Sequence, residues 1–430
     1  MLERLFKLNE LGTTARQEVI AGITTFLTMA YIIFVNPSIL AQAGMDQGAV
    51  FVATCLAAAL GCLIMGLVAN YPIALAPGMG LNAFFTYTVV LTQGYSWQAA
   101  LGAVFMSGCL FLLLSLFRVR EWIINSIPGA LKIGIAAGIG LFLAIIALKN
   151  AGIVVDHPAT LVTLGDVHSL PVQLAILGFF LIVGLISRGV KGGVMLAILA
   201  VTGLGLLLGD IQYQGIASMP PSVLPTLMQM DLSSALELSM LSVVFAFLFV
   251  DLFDTSGTLV AVAQKAELLD ERGRLPRLNR ALLADSSATI AGAALGTSTT
   301  TSYVESTAGV AVGGRSGLTA VVTGLLFLAA LFFAPLAGMV PAYATAGALF
   351  YVAVLMMGSV KNIHWDDLSD AVPVVVVAAL MPLTFSIAHG IAFGFISFAL
   401  AKVLAGKARE VTPAVWVVAA LFLLKFAFAG

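Results

Sequence analysis

Three carboxylates stand where charge is most expensive. Asp251 and Asp254 interrupt the apolar run FAFLFVDLFDTSGTLVAV at 245–262, and Glu305 follows the hydroxyl-rich stretch that begins GTSTTTSYVES at 296. A charged group at mid-bilayer costs roughly 2.5–3.5 kcal/mol on insertion scales, so it faces a bundle interior, a watery cavity or a partner. Asp251 and Asp254 are i and i+3 and share a helix face, with Thr255 and Thr258 as their i+4 neighbours. That face is a polar stripe turned inward. In APGMGLNAFF (76–85), Asn82 adds an amide donor and acceptor, and Gly78 and Gly80 permit close backbone approach. Carboxylates accept N–H hydrogen bonds, often in pairs. Together with the aromatics Phe84, Phe85 and Tyr303, these groups suit a planar, neutral, N–H-rich heterocycle. A carboxyl group that loads a proton on one side of a membrane and releases it on the other also couples a solute to the proton gradient. Asp254 and Glu305 are the candidates for that task. The competing structural readings are satisfied buried acids for Asp251 and Asp254, an ion pair of Glu305 with Arg315, and an interhelical hydrogen bond for Asn82.

The elements that must carry these residues are membrane helices. The chain has 430 residues, 60% hydrophobic and 10% charged, against about 25% charged in soluble domains. No Asp, Glu, Lys, Arg or His lies between Asp46 and Arg118, or between Arg315 and Lys361. About 20 apolar residues cross a bilayer, so each gap holds at least two crossings. The runs do not alternate as barrel strands would. The fold class is therefore an all-α polytopic membrane protein. Net charge is −1, which gives no reason to expect nucleic acid as a partner. Cys55, Cys62 and Cys109 lie inside apolar spans and read as packing residues, with no metal or cofactor implied. The N-terminus, MLERLFKLNELGTTARQEV, lacks the apolar region of a signal peptide. Its Leu2, Leu5, Phe6 and Leu8 fit a short interfacial helix.

Twelve spans are expected, roughly at 19–40, 48–70, 98–117, 128–148, 171–187, 191–209, 237–258, 281–295, 316–337, 341–359, 371–386 and 388–404. Two further segments, 76–91 and 296–314, are too short or too broken by Gly to cross alone, and bring the total to fourteen. A last apolar stretch, 413–429, holds Trp416 and Lys425 and fits either a span or an interfacial helix. With the N-terminus in the cytoplasm, Arg4, Lys7, Arg16, Arg118, Arg120, Lys132, Arg188, Lys191, Lys265, Arg272, Arg274, Arg277, Arg280, Arg315, Lys361, Lys402, Lys407 and Arg409 all fall inside. That is eighteen of the 20 basic residues; Lys149 falls outside and Lys425 follows the uncertain segment. Cytoplasmic loops are enriched in Lys and Arg, so the count supports each broken segment as one crossing. Seven elements per half is odd, so the second half runs inverted. Inverted repeats with a broken helix in each half mark secondary transporters.

The same residues carry a family resemblance. The stretches TTFLTMAYIIFVNP (24–37), APGMGLNAFF (76–85), VDLFDTSGTL (250–259), GTSTTTSYVES (296–306), GGRSGLTAV (313–321) and MPLTFSIAHGIAFGF (381–395) are similar to the azaguanine-like branch of the nucleobase–cation symporter-2 family. These purine permeases resemble the bacterial uracil permease in fold. The resemblance covers nearly the whole chain. It implies proton-coupled uptake of hypoxanthine and guanine, or of adenine, across the cell's inner (plasma) membrane. It implies a 7+7 inverted repeat in which crossings 1–4 and 8–11 form a core domain, and 5–7 and 12–14 a gate domain. On this sequence those are a cytoplasmic tail (1–18), core (19–117), gate (118–209), an extracytoplasmic loop (210–235), core again (236–337), gate again (338–404) and a C-terminal apolar segment (405–430). Asp254 matches the family's substrate-binding glutamate in crossing 8, and Glu305 the one in crossing 10. Asp251, Gly80 and Asn82 fall in motifs that the branch links to purine binding. A monomer and a homodimer are both open.

Two other classes compete. An anion carrier of the same inverted plan would present positive charge, yet the broken segments carry Glu305 and no Arg or Lys before Arg315. An intramembrane aspartyl protease needs two acids facing each other from different elements, whereas Asp251 and Asp254 share one helix. There is no Walker A motif and no large soluble domain for ATP, so active transport would be driven by ions. No enzymatic activity is expected.

Overall fold

A computed structural model of the chain describes residues 2–116, 127–270 and 275–428. The chain opens with helices α1 (Leu2–Phe6), α2 (Ala15–Met29), α3 (Ile32–Ala41) and α4 (Gln47–Ile64). Strand β1 (Leu75–Pro77), helix α5 (Met79–Ala83), α6 (Trp97–Leu116), α7 (Gly129–Asn150), the hairpin β2 (Val154–His157) and β3 (Leu161–Leu164), α8 (Leu170–Ser187), α9 (Gly193–Leu207) and α10 (Leu232–Ala235) follow. The second half runs α11 (Leu238–Lys265), α12 (Leu278–Leu295), β4 (Thr300–Ser302), α13 (Ser306–Ala311), α14 (Gly317–Ala330), α15 (Ala334–Met339), α16 (Ala342–Met357), α17 (Leu368–Leu383), α18 (Ile387–Leu404) and α19 (Pro413–Phe428).

Nine helices among the described residues are long and apolar enough to cross a membrane. The expected spans match these helices within a few residues, except where a crossing is shorter or kinked. The first crossing breaks between α2 and α3. Helices α9 and α17 have 15 and 16 residues, about 22–24 Å at 1.5 Å per residue. Polar caps fix several starts: Asp46 accepts from the Ala49 amide (2.7 Å) and Ser386 from the His389 amide (3.2 Å). The last apolar stretch is a helix that packs along α18, with the Phe393 and Phe426 rings stacked 5.1 Å apart. Helix α1 forms, but only Leu2 and Leu5 stay exposed; Phe6 and Leu8 are buried against Leu318. Arg118, Arg120, Arg272 and Arg274 lie outside the described residues.

The four short strands are an addition to the expected helices. Strand β1 pairs with β4 antiparallel, Leu75 opposite Ser302, Ala76 opposite Thr301 and Pro77 opposite Thr300. The ladder is extended by Gly78 N–H to Thr299 O and Tyr303 N–H to Ala74 O, both 2.9 Å. The two broken segments therefore meet in the interior of the chain. Each is entered through a left-handed residue: Asn70 (φ 53°) in the first half and Gly296 (φ 98°) in the second. A side chain on Gly296 would collide with Thr226, 2.2 Å away, so glycine is required there on two counts. Asn70 tolerates the conformation and uses its amide to donate to Phe6 O (3.0 Å) and accept from Gly317 N–H (2.7 Å). Non-helical backbone at membrane depth survives where protein satisfies its polar groups. The strand pair does this for both breaks at once.

Helix packing falls into two groups. Helices α2, α4, α6, α11, α12 and α14 pack around the strand pair, and α7, α8, α9, α16, α17 and α18 pack on one another. Contacts of α5 and α11 with α7, and of α11 with α18, join the groups. At one end of α18 the buried Lys402 ammonium is 2.8 Å from Asp370 and 2.7 Å from Glu410, and Lys407 is 2.7 Å from Asp367. The Lys407 ammonium and the Ser369 hydroxyl hold the Asp367 carboxyl well below its usual range.

Candidate solute site

Two acids meet beside the strand pair. Asp254 comes from the middle of α11, and Glu305 stands at the position just before α13, three residues after β4. They are close enough for the charge of Glu305 to act on Asp254, and the Thr301 hydroxyl of β4 hydrogen-bonds Asp254. The Asp254 side chain is accessible and Glu305 is half-buried. Glu305 does not use Arg315. The Arg315 guanidinium donates to Val310 O (2.9 Å) and Gly314 O (2.8 Å), and its backbone N–H donates to the buried Glu18 carboxylate (2.8 Å). Glu305 instead accepts the Tyr31 hydroxyl at 2.6 Å.

Asn82, on α5, is fully buried and joins the second broken segment through the Ser298 hydroxyl, which donates to Asn82 Oδ1. Its Nδ2 has no protein partner among the described residues, and neither do the hydroxyls of Thr86, Thr299 and Thr300. These four atoms all belong to the broken segments. An unsatisfied buried polar group costs about 1–3 kcal/mol, so a solute or water that pairs with them gains that much over one that does not. Tyr303 is anchored by its hydroxyl to Pro77 O (2.5 Å). Phe84 and Phe85 are fully buried, and Phe84 packs edge-on against Phe247 of α11 at 4.9 Å. The missing side chain of Gly80 makes room for Ile139 of α7, whose Cγ2 would lie 2.6 Å from an added Cβ.

Asp251 is separated from the other two acids. It is 1% exposed and faces α12, with the Thr255 hydroxyl 3.3 Å from its Oδ1 and the Thr289 hydroxyl 3.5 Å from its Oδ2. There it meets Asp285, a carboxylate absent from the sequence-based set. Asp285 is fully buried and accepts from Thr255 (3.0 Å) and from Ser302 of β4 (3.0 Å). Behind the open pair Asp254 and Glu305 thus lies a dry layer of Asp251, Asp285 and hydroxyls. A cavity of about 690 Å³ lies elsewhere, lined by Lys7, Glu10, Asn70, Arg277 and Arg280 among others, and contains none of the site acids.

Gly309 seats α13 against α2. A Cβ there would lie 2.1 Å from Thr25 Oγ1 and 2.6 Å from the Ala21 carbonyl oxygen. The backbone contact cannot be relieved by a rotamer change, so α13 and the Glu305 just before it must move. Gly309→Ala is expected to lower solute uptake about tenfold or more with normal membrane insertion, measured by labelled-solute uptake against a surface-expression control. Wild-type uptake would show that the seating of α13 does not matter.

Fold and site together define a membrane permease. The model described as Permease family matches residues 16–424, and the chain belongs to this xanthine/uracil-type family, the nucleobase–cation symporter-2 family. It is 54% identical over 428 residues to the adenine permease AdeP of Escherichia coli K12, covering 100% of this chain and 96% of that protein. It is 50% identical over 440 residues to the guanine/hypoxanthine permease PbuG of Bacillus subtilis 168, covering 99% and 100% respectively. In structure it is similar to the transmembrane domain of the cyanobacterial bicarbonate transporter BicA, with a TM-score of 0.67 over 87% of this chain and 96% of that one. At 19% identity that likeness shows the inverted-repeat fold alone. A permease is a transporter and not an enzyme.

Proposed function

We propose that the protein takes up purine nucleobases, adenine or hypoxanthine and guanine, together with protons. The observation that carries this is the pairing of Asp254 with Glu305 beside the strands where the two broken segments meet. A neutral purine presents adjacent N–H groups and ring nitrogens, and carboxylates accept such N–H groups in pairs. Asn82 supplies the complementary donor. Asp251 and Gly80 complete the site from behind, Asp251 through the buried layer and Gly80 by letting the first broken segment pack closely on α7. The relatives named above support the purine class. The two helix groups are read as core (19–117 and 236–337) and gate (118–209 and 338–404), and movement of one against the other exposes the site alternately to each side. The N-terminus is placed in the cytoplasm and the chain in the inner (plasma) membrane. Asp254 and Glu305 carry the coupling proton.

An anion carrier is disfavoured because two carboxylates at the site repel its cargo, while Lys7, Arg277 and Arg280 line a cavity elsewhere. The test is uptake of labelled hypoxanthine by cells expressing the protein, with adenine, guanine, xanthine, uracil and bicarbonate as competitors. Purines are expected to compete and bicarbonate is not. A protonophore is expected to collapse accumulation; unchanged accumulation in sodium-free buffer would remove proton coupling from the reading.

A further inference from the structure

We propose that Tyr31 is a positioning residue for Glu305: its hydroxyl fixes which lone pairs of that carboxylate are presented to the solute. The proposal rests on the reading of Glu305 as a purine acceptor. The local backbone comes first. In TTFLTMAYIIFVNP no Gly or Pro marks residues 30 and 31, yet the helix breaks there. Ile33 N–H bonds Ala30 O (3.1 Å) and Phe34 N–H bonds Tyr31 O (3.1 Å), a tightened turn between α2 and α3. The tyrosine at this turn is 2% exposed. A buried phenol needs a partner for its O–H, and it finds Glu305 Oε1 at 2.6 Å. Gly309 brings that partner within reach by seating α13 on α2 at Ala21 and Thr25.

The geometry has a consequence for recognition. An O–H donor to a carboxylate at about 2.5–2.7 Å belongs to the strong, charge-assisted class. One lone pair of Oε1 is then occupied. The second lone pair of Oε1 and both of Oε2 remain for N–H donors. Paired N–H···O bonds need both oxygens held in one plane. Glutamate has a flexible stem, and having to order it on binding weakens affinity about two- to tenfold for a side chain of this kind. Tyr31 orders it beforehand.

Two measurements on the purified full-length protein test this. Tyr31→Phe keeps the ring and removes the donor. It is expected to weaken binding of tritiated adenine or hypoxanthine about two- to tenfold, the effect of ordering the glutamate only on binding. The second measurement needs no purine. An infrared carboxyl band assigned by its loss in Glu305→Ala is expected to shift in Tyr31→Phe. A tyrosine that does not hydrogen-bond Glu305 would leave that band unmoved, and one that bonds it without positioning it would shift the band with purine binding unchanged. An unmoved band, or wild-type purine binding by Tyr31→Phe, overturns the proposal. A shifted band in a protein that binds no purine at all would sink the transport reading and the role given to Tyr31 with it, while leaving the hydrogen bond in place.

Discussion

Asp254→Asn and Glu305→Gln are each expected to cut purine uptake at least about 100-fold while the protein inserts at wild-type levels. Each substitution keeps size and shape, so packing of α11 and α13 is preserved. What changes is the hydrogen-bonding pattern. A carboxylate offers two acceptor oxygens to a solute; an amide offers one oxygen and turns an N–H₂ group toward the solute's own N–H. The contact at the replaced oxygen is lost and becomes a donor facing a donor, which leaves the solute's N–H unpaired. Hydrogen bonds to charged groups are worth about 1.5–3 kcal/mol each, and 1.4 kcal/mol is a factor of ten. Losing one such bond and leaving a second group unpaired therefore exceeds two decades. A neutral amide costs less to bury than a carboxylate, so neither substitution imposes a burial penalty that would confuse lost binding with misfolding. Uptake of labelled hypoxanthine and adenine, normalised to surface protein, decides it. Wild-type uptake by either variant removes that acid from the solute site.

How much of this was legible from the sequence depended on whether the signal was local. The two broken segments were legible because glycine and proline interrupt apolar runs, as Pro77-Gly78-Met79-Gly80 does at the start of α5. Asp254 and Glu305 were legible because an acid in an apolar run has few bland explanations. The pairing of β1 with β4 was not legible, because it joins residues more than 200 positions apart and each strand is three residues long. The division between Asp251 and Asp254 was also hidden. Residues i and i+3 share a helix face only loosely, being about 60° apart around the axis at 3.6 residues per turn. That angle suffices to turn Asp254 toward Thr301 and Asp251 toward Asp285. Asp285 itself carried a usable signal: it is the one acid inside the span expected at 281–295. Its partners Thr255 and Ser302 come from α11 and β4, so only the folded chain shows what it holds. Tyr31 was hidden because an aromatic in an apolar helix is usually packing.

Asp285→Ala is expected to lower both stability and uptake, the stability by about 1–3 kcal/mol. The carboxylate is fully buried and accepts hydroxyls from α11 and β4. Without it Ser302 loses its acceptor in a buried layer, at about 1–3 kcal/mol for an unsatisfied group, and Thr255 is left with only its longer contact to Asp251. Relief from burying a carboxylate offsets part of that, which keeps the sum at the lower end. The functional loss follows from where the two hydroxyls sit. Thr255 is next to Asp254 on α11, and Ser302 lies between Thr301, which hydrogen-bonds Asp254, and Tyr303, two residues before Glu305. Freeing either element misplaces the acids, so purine uptake should fall more than about tenfold. Asp285→Asn keeps one acceptor oxygen and should lie between wild type and Asp285→Ala in both measurements. The ordering discriminates: a carboxylate needed only as a proton carrier would leave Asp285→Asn as inactive as Asp285→Ala, with a melting temperature close to wild type. A melting temperature and uptake unchanged in Asp285→Ala would mean that the buried layer does not hold the strand pair in place.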